Sequence, residues 1–81
     1  MARVSGQVDA GGLLTALGAA IRTERTARGL SQEALADAAK IDRSHMGKIE
    51  RGERNVTILN IARSAAALGC QPSQLLVSAG R

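Results

Sequence analysis

The stretch from Ser31 to Asn55, SQEALADAAKIDRSHMGKIERGERN, holds two apolar-periodic pieces on either side of Lys40-Ile41-Asp42. Each is too short to be a stable helix on its own in water. Ser31 is a good N-cap for the first, and Glu33 falls in its first turn, where an acid favours the positive helix end. Leu35 and Ala39 then share one face, and Ala36 is small enough to allow a close crossing. Asp42 caps the second piece, Arg43 to about Glu50, with Met46 and Ile49 facing inward and Gly52 ending it. The outer side of that second helix carries Arg43, Ser44, Gly47 and Lys48. Two short helices joined by so tight a turn make a helix-turn-helix unit, whose second helix enters a DNA major groove.

Working outward, Leu14, Leu17 and Ile21 recur at helical spacing, which predicts a first helix from Leu13 to about Arg28, stopped by Gly29. Thr57 caps a fourth helix, Ile58 to Leu68, whose apolar stripe reads Ile58, Ile61, Ala62, Ala65 and Leu68, with Gly69 closing it. Pro72 suits the first position of a short fifth helix through Leu76 or Val77. The expected fold is all-α, five helices with the helix-turn-helix at the centre. Residues 1–12, with Gly6, Gly11 and Gly12, read as a flexible N-terminal arm, 13–77 as the domain and 78–81 as a short tail.

Composition narrows the function. The 81 residues are 44% apolar and contain no Phe, Tyr or Trp, so Leu, Ile, Val, Ala and Met must build the core. That suits closely packed short helices better than a sandwich or barrel, and a domain so small often recovers buried area by dimerising. The net charge of +4 makes an anionic partner plausible. Cys70 is the only cysteine, so neither an internal disulfide nor a thiolate metal cluster is expected, and it fits an apolar core position. No apolar run approaches the roughly 20 residues of a membrane span. No signal-type apolar segment follows Met1-Ala2-Arg3-Val4, and the cytoplasm is the expected location. The chain lacks paired carboxylates at a likely cleft, a Gly-rich phosphate loop and a Cys-His arrangement, so it reads as no enzyme. No metal, cofactor or small-molecule ligand is expected. His45, the only histidine, reads as a surface residue beside the groove.

The chemistry of the second helix is that of base readout. Arg43 and Lys48 can donate to guanine O6 and N7, and Ser44 can donate or accept. Gly47 costs about 0.5–1 kcal/mol relative to Ala inside a helix, but would let the helix approach a base edge closely. Arg51 and Arg54 flank the following turn and can reach phosphates.

Leu30 to Asn55, LSQEALADAAKIDRSHMGKIERGERN, resembles the Cro/cI-type helix-turn-helix domain of phage repressors and small bacterial regulators. The Gln after the first cap, the short turn, Ile-Glu-Arg-Gly and the following Asn occur together and in register, and the likeness extends over Leu13 to Leu76. Within that family IDRSHMGKIERGERNVTILNI is most similar to the controller proteins of restriction-modification systems, small dimeric regulators that bind paired operator sites. The resemblance implies a compact lambda-repressor-like fold and double-stranded DNA as partner. It implies base contacts from Arg43, Ser44 and Lys48, and phosphate contacts from Gln32 and Asn55, with Gln32 also bracing the recognition helix. Arg25 and Glu50 fall where the family commonly has a buried ion pair, and Lys40 where it usually has a left-handed glycine.

A single short helix reads only a few base pairs, so a homodimer on a palindromic or near-palindromic operator is expected, with Leu75, Leu76 and Val77, together with the Ala-rich fourth helix, as the contact patch. Activation or repression then depends on where that operator lies. The alternative is a protein-interaction module or antitoxin of the same fold. Its mark would be an apolar or acidic outer face on the second helix, and a longer tail than Ser78 to Arg81.

Overall fold

The computed structural model describes residues 9–81. Five helices follow one another: α1 (Leu13–Ala27), α2 (Gln32–Ala39), α3 (Arg43–Glu50), α4 (Ile58–Leu68) and α5 (Pro72–Ser78). The expected arm lies outside the described residues over 1–8; from Asp9 onward the chain already belongs to the domain. Asp9 accepts hydrogen bonds from the Leu14 and Thr15 amides at 2.6 and 2.9 Å and from the Thr15 hydroxyl at 2.6 Å, across a single 3-10 turn, Ala10–Gly12. These bonds hold the Asp9 carboxyl below the usual carboxylate range, the Thr15 hydroxyl most of all. The C-terminal residues are tied back as well. Arg81 Nη2 donates to the Gly11 carbonyl at 2.6 Å, and the Arg81 amide to Leu76.

Local chemistry sets the helix ends. Ser31 Oγ accepts from the Ala34 amide at 3.0 Å and Thr57 Oγ1 from the Asn60 amide at 3.0 Å, each satisfying a donor that its helix leaves unpaired. Gln74 reaches back to the Gln71 amide at 2.8 Å, fixing the start of α5 at Pro72. α2 ends at Lys40, the only non-glycine residue of the described chain with positive φ (58°, ψ 41°). That left-handed turn brings the Ile41 amide onto the Ala36 carbonyl at 2.9 Å and redirects the chain into α3.

One core joins all five helices. Leu17 and Ile21 from α1, Leu35, Ala36 and Ala39 from α2, Met46 and Ile49 from α3, and Ile61, Ala65 and Leu68 from α4 close around Leu75 of α5. Ile41 plugs the turn between α2 and α3. Leu30, Cys70 and Leu76 pack at the margins as partly buried residues. α4 enters this core through Ile61, Ser64, Ala65 and Leu68; Ile58, expected on the inward stripe, is instead 76% exposed. It sits at the first position of α4, one turn before Ile61, the first residue of that helix to be buried.

α1 and α3 approach unusually closely. A Cβ at Gly18 would lie 2.4 Å from the Ile49 carbonyl oxygen and 2.5 Å from that of Glu50, so only hydrogen fits there. Gly52, just past α3, meets the Thr15 backbone in the same way, at 2.8 Å from its Cα. The C-terminal end of α3 is thus seated directly on the backbone of α1.

Candidate nucleic-acid interface

α3 stands with Met46 and Ile49 sunk in the core and Arg43 and Ser44 exposed at its start. Asp42 fixes that start. Its Oδ2 accepts from the Ser44 amide at 3.1 Å and the His45 amide at 3.4 Å, and from the Ser44 hydroxyl at 2.5 Å. The Ser44 hydroxyl, followed by the two amides, holds the Asp42 carboxyl below the usual carboxylate range. Ser44 therefore donates locally while its oxygen still points into solvent. Lys48 follows one turn later, half-buried.

The other end of α3 is held by a buried polar network. Arg25 donates through Nε to Glu50 Oε2 at 2.8 Å and through Nη2 to Oε1 at 3.1 Å, while its Nη1 reaches the Leu30 carbonyl at 2.9 Å. Gln32 Nε2 donates to Glu50 Oε1 at 3.1 Å. The Glu50 side chain keeps only 3% of its surface exposed and that of Arg25 12%, so the carboxylate is buried with partners on both oxygens. α1, α2 and α3 are joined at this one group. Gln32 acts here as a brace on α3 from the first residue of α2.

Gly47 has a different role from the one its outer position suggested. It is buried, and a Cβ there would lie 3.1 Å from Arg51 Nη1 and 3.2 Å from Gln32 Oε1. The missing side chain leaves room for these two protein groups. His45 likewise faces the protein: it is half-buried, with Nε2 3.5 Å from Asn60 Nδ2 of α4. Nothing in the residue types alone separates these arrangements from a groove-facing one.

Beyond α3, Arg51, Glu53, Arg54 and Asn55 are exposed in the loop before α4. Arg51 pairs with Glu53 through Nε (3.0 Å) and Nη2 (3.2 Å), which holds the Glu53 carboxyl below its ordinary range. At the far side of the domain the expected contact patch divides. Leu75 is fully buried in the chain's own core and cannot form part of an exposed patch, because α5 has to supply one residue to close the space between α1 and α4. Leu76 is half-buried and Val77 is 73% exposed. Ile58 and Leu59, at 76% and 55% exposure, were not anticipated as surface residues. Among the described residues no group of three or more His, Cys, Asp and Glu could hold a metal ion. Among the described residues no helix is long and apolar enough to cross a membrane.

A helix-turn-helix family model matches residues 21–75, from the middle of α1 to α5. The chain belongs to the helix-turn-helix family. It is 47% identical over 47 residues to the control protein C.BamHI of Bacillus amyloliquefaciens, a match spanning 58% of either chain. It is 38% identical over 60 residues to the control protein C.SmaI of Serratia marcescens, covering 74% of this chain and 71% of that one. The solved restriction-modification controller protein C.AhdI from Aeromonas hydrophila superposes with a TM-score of 0.75 at 48% identity, over 76% of this chain and 94% of that one. The clp gene regulator ClgR from Corynebacterium glutamicum gives 0.81 at 32% identity, over 84% of this chain and 72% of that one. The compact five-helix fold is thus the one these regulators share, and the chain is a DNA-binding regulator of helix-turn-helix type rather than an enzyme.

Proposed function

We propose that this helix-turn-helix protein acts as a homodimer on a palindromic or near-palindromic operator, and that it controls a restriction-modification operon. The observation that carries the reading is the two-sidedness of α3, apolar inward at Met46 and Ile49 and polar outward at Arg43, Ser44 and Lys48. On docking, those three side chains read base edges. Gln32, Arg51, Arg54 and Asn55 lie at the start of α2 and in the loop after α3, where contacts to phosphate set register. The likeness to the control proteins and to C.AhdI supports the operon assignment.

Dimerisation supplies the second recognition helix one turn of DNA away, about 34–36 Å. With Leu75 committed to the core, the contact falls to the apolar side chains left outside: Val77 and the edge of Leu76 on α5, with Ile58 and Leu59 on α4.

Two measurements test the reading. Duplexes selected by the protein from a random library should contain an inverted repeat, and Arg43→Ala should lose preference at one base pair per half-site. Sedimentation equilibrium should give a dimer that Val77→Glu dissociates. Selection of no common sequence, or an unmodified chain that stays monomeric both free and on its operator, would refute the proposal.

A further inference from the structure

Arg43 is the first residue of α3, and its exposed side chain leans back onto α2. Its Nη1 lies 3.3 Å from Oε2 of Glu33, across the turn of the helix-turn-helix unit. Both side chains are well exposed, 70% and 71%. An ion pair that open contributes little to folding. Its geometry is nonetheless selective about which part of the guanidinium it occupies.

A guanidinium recognises guanine O6 and N7 with two parallel N–H groups, and the side-on pair is Nε with Nη2. Arg25 spends that pair on Glu50, and Arg51 spends it on Glu53. The Arg43 contact to Glu33 runs through Nη1, and in this exposed side chain Nε and Nη2 make no hydrogen bond among the described residues. Its backbone is already set by the Asp42 cap at the helix start. The cap sets where the side chain starts, and Glu33 lies within ion-pair distance of its far end.

Resting on the assignment of Arg43 as a base-reading residue, we infer that Glu33 is a specificity-determining positioning residue. It holds the Arg43 guanidinium with its donor fork free, so that less side-chain freedom is lost when guanine is engaged. A carboxylate near DNA otherwise repels phosphate and weakens binding to every sequence alike. Positioning acts only at the base pair that Arg43 reads. Asp37, four residues further along α2, borders the same concave surface between α2 and α3 without pairing to Arg43, and serves as an internal control for charge alone.

The experiment uses the full chain and a duplex that it selects from random sequence, with a panel of single base-pair variants and an unrelated duplex. Glu33→Gln should weaken binding to the selected duplex about two- to five-fold and flatten preference at one base pair. That base pair should be the one flattened by Arg43→Ala, and Glu33→Gln should add nothing in the Arg43→Ala background. Affinity for the unrelated duplex should hold or rise, and Asp37→Asn should leave the ranking of variants unchanged. If Glu33→Gln tightens or preserves binding to the selected duplex with ranking intact, Glu33 does not position Arg43. If Arg43→Ala itself leaves the ranking intact, the base-reading assignment fails, and this inference fails with it through a separate measurement.

Discussion

The Arg25 guanidinium meets the Glu50 carboxylate through two parallel hydrogen bonds, 2.8 and 3.1 Å long, joining the last turn of α1 to the last residue of α3. With the carboxylate almost fully buried, removing either partner strands the other in a poorly solvated site. Arg25→Ala or Glu50→Ala should each destabilise the domain by about 3–5 kcal/mol. The double variant should cost clearly less than the sum, since it leaves no unpaired charge. Denaturant unfolding of the four proteins gives the coupling. A value near zero would show the two side chains to be independent.

Lys40 carries the left-handed turn between α2 and α3 without the freedom of glycine. Lys40→Gly should stabilise the fold by about 1 kcal/mol, because it relieves the clash of Cβ with the backbone at positive φ. The effect appears as a rise of several degrees in Tm. A β-branched residue at the same position should lower Tm instead.

Ser64 is fully buried on the inner face of α4, and its hydroxyl has no hydrogen-bond partner. Ser64→Ala removes a desolvated polar atom and leaves almost the same volume. It should gain about 1 kcal/mol. An unchanged denaturation midpoint would indicate that the hydroxyl finds a partner in solution.

Acid should unfold the domain through its capping carboxylates. Asp9 and Asp42 both have folded-state pKa values below the ordinary one, set chiefly by the Thr15 and Ser44 hydroxyls. For such groups the stabilisation is present above the unfolded-state pKa and is lost as pH falls through the folded-state value. Stability should therefore hold from neutrality down to about pH 4 and decline below it. Asp42→Asn keeps an acceptor at the cap without the titration, so its stability profile should be flatter at acid pH. Unfolding midpoints across the acid range check this.

Much of the fold was legible because short-range signals act where they are written. Ser31, Asp42 and Thr57 each cap the helix that follows, and Gly29, Gly52 and Gly69 each stand where a helix ends with positive φ. The choice between neighbouring apolar residues was less readable. Periodicity places both Ile58 and Leu75 on apolar faces, but which of them is covered depends on how α4 and α5 pack, and only Leu75 is. Gly18 carried no local signal at all: a glycine inside a helical pattern has a reason only when the backbone opposite it is known. At the site, the family resemblance anticipated Gln32 as a brace on α3, while the burial of Gly47 depends on side chains contributed by other elements and had no local signal.

The contact of Gly18 with the last carbonyls of α3 also bears on how a groove is met. With no side chain between them to slide or repack, a tilt of α3 brings its last carbonyls against the backbone of α1. A helix seated this closely leaves shape adjustment to the duplex if α3 enters a groove as proposed. If the chain binds the paired operator proposed above, base pairs that no side chain touches would be selected by how cheaply they bend or twist, with flexible pyrimidine–purine steps favoured over rigid A-tracts.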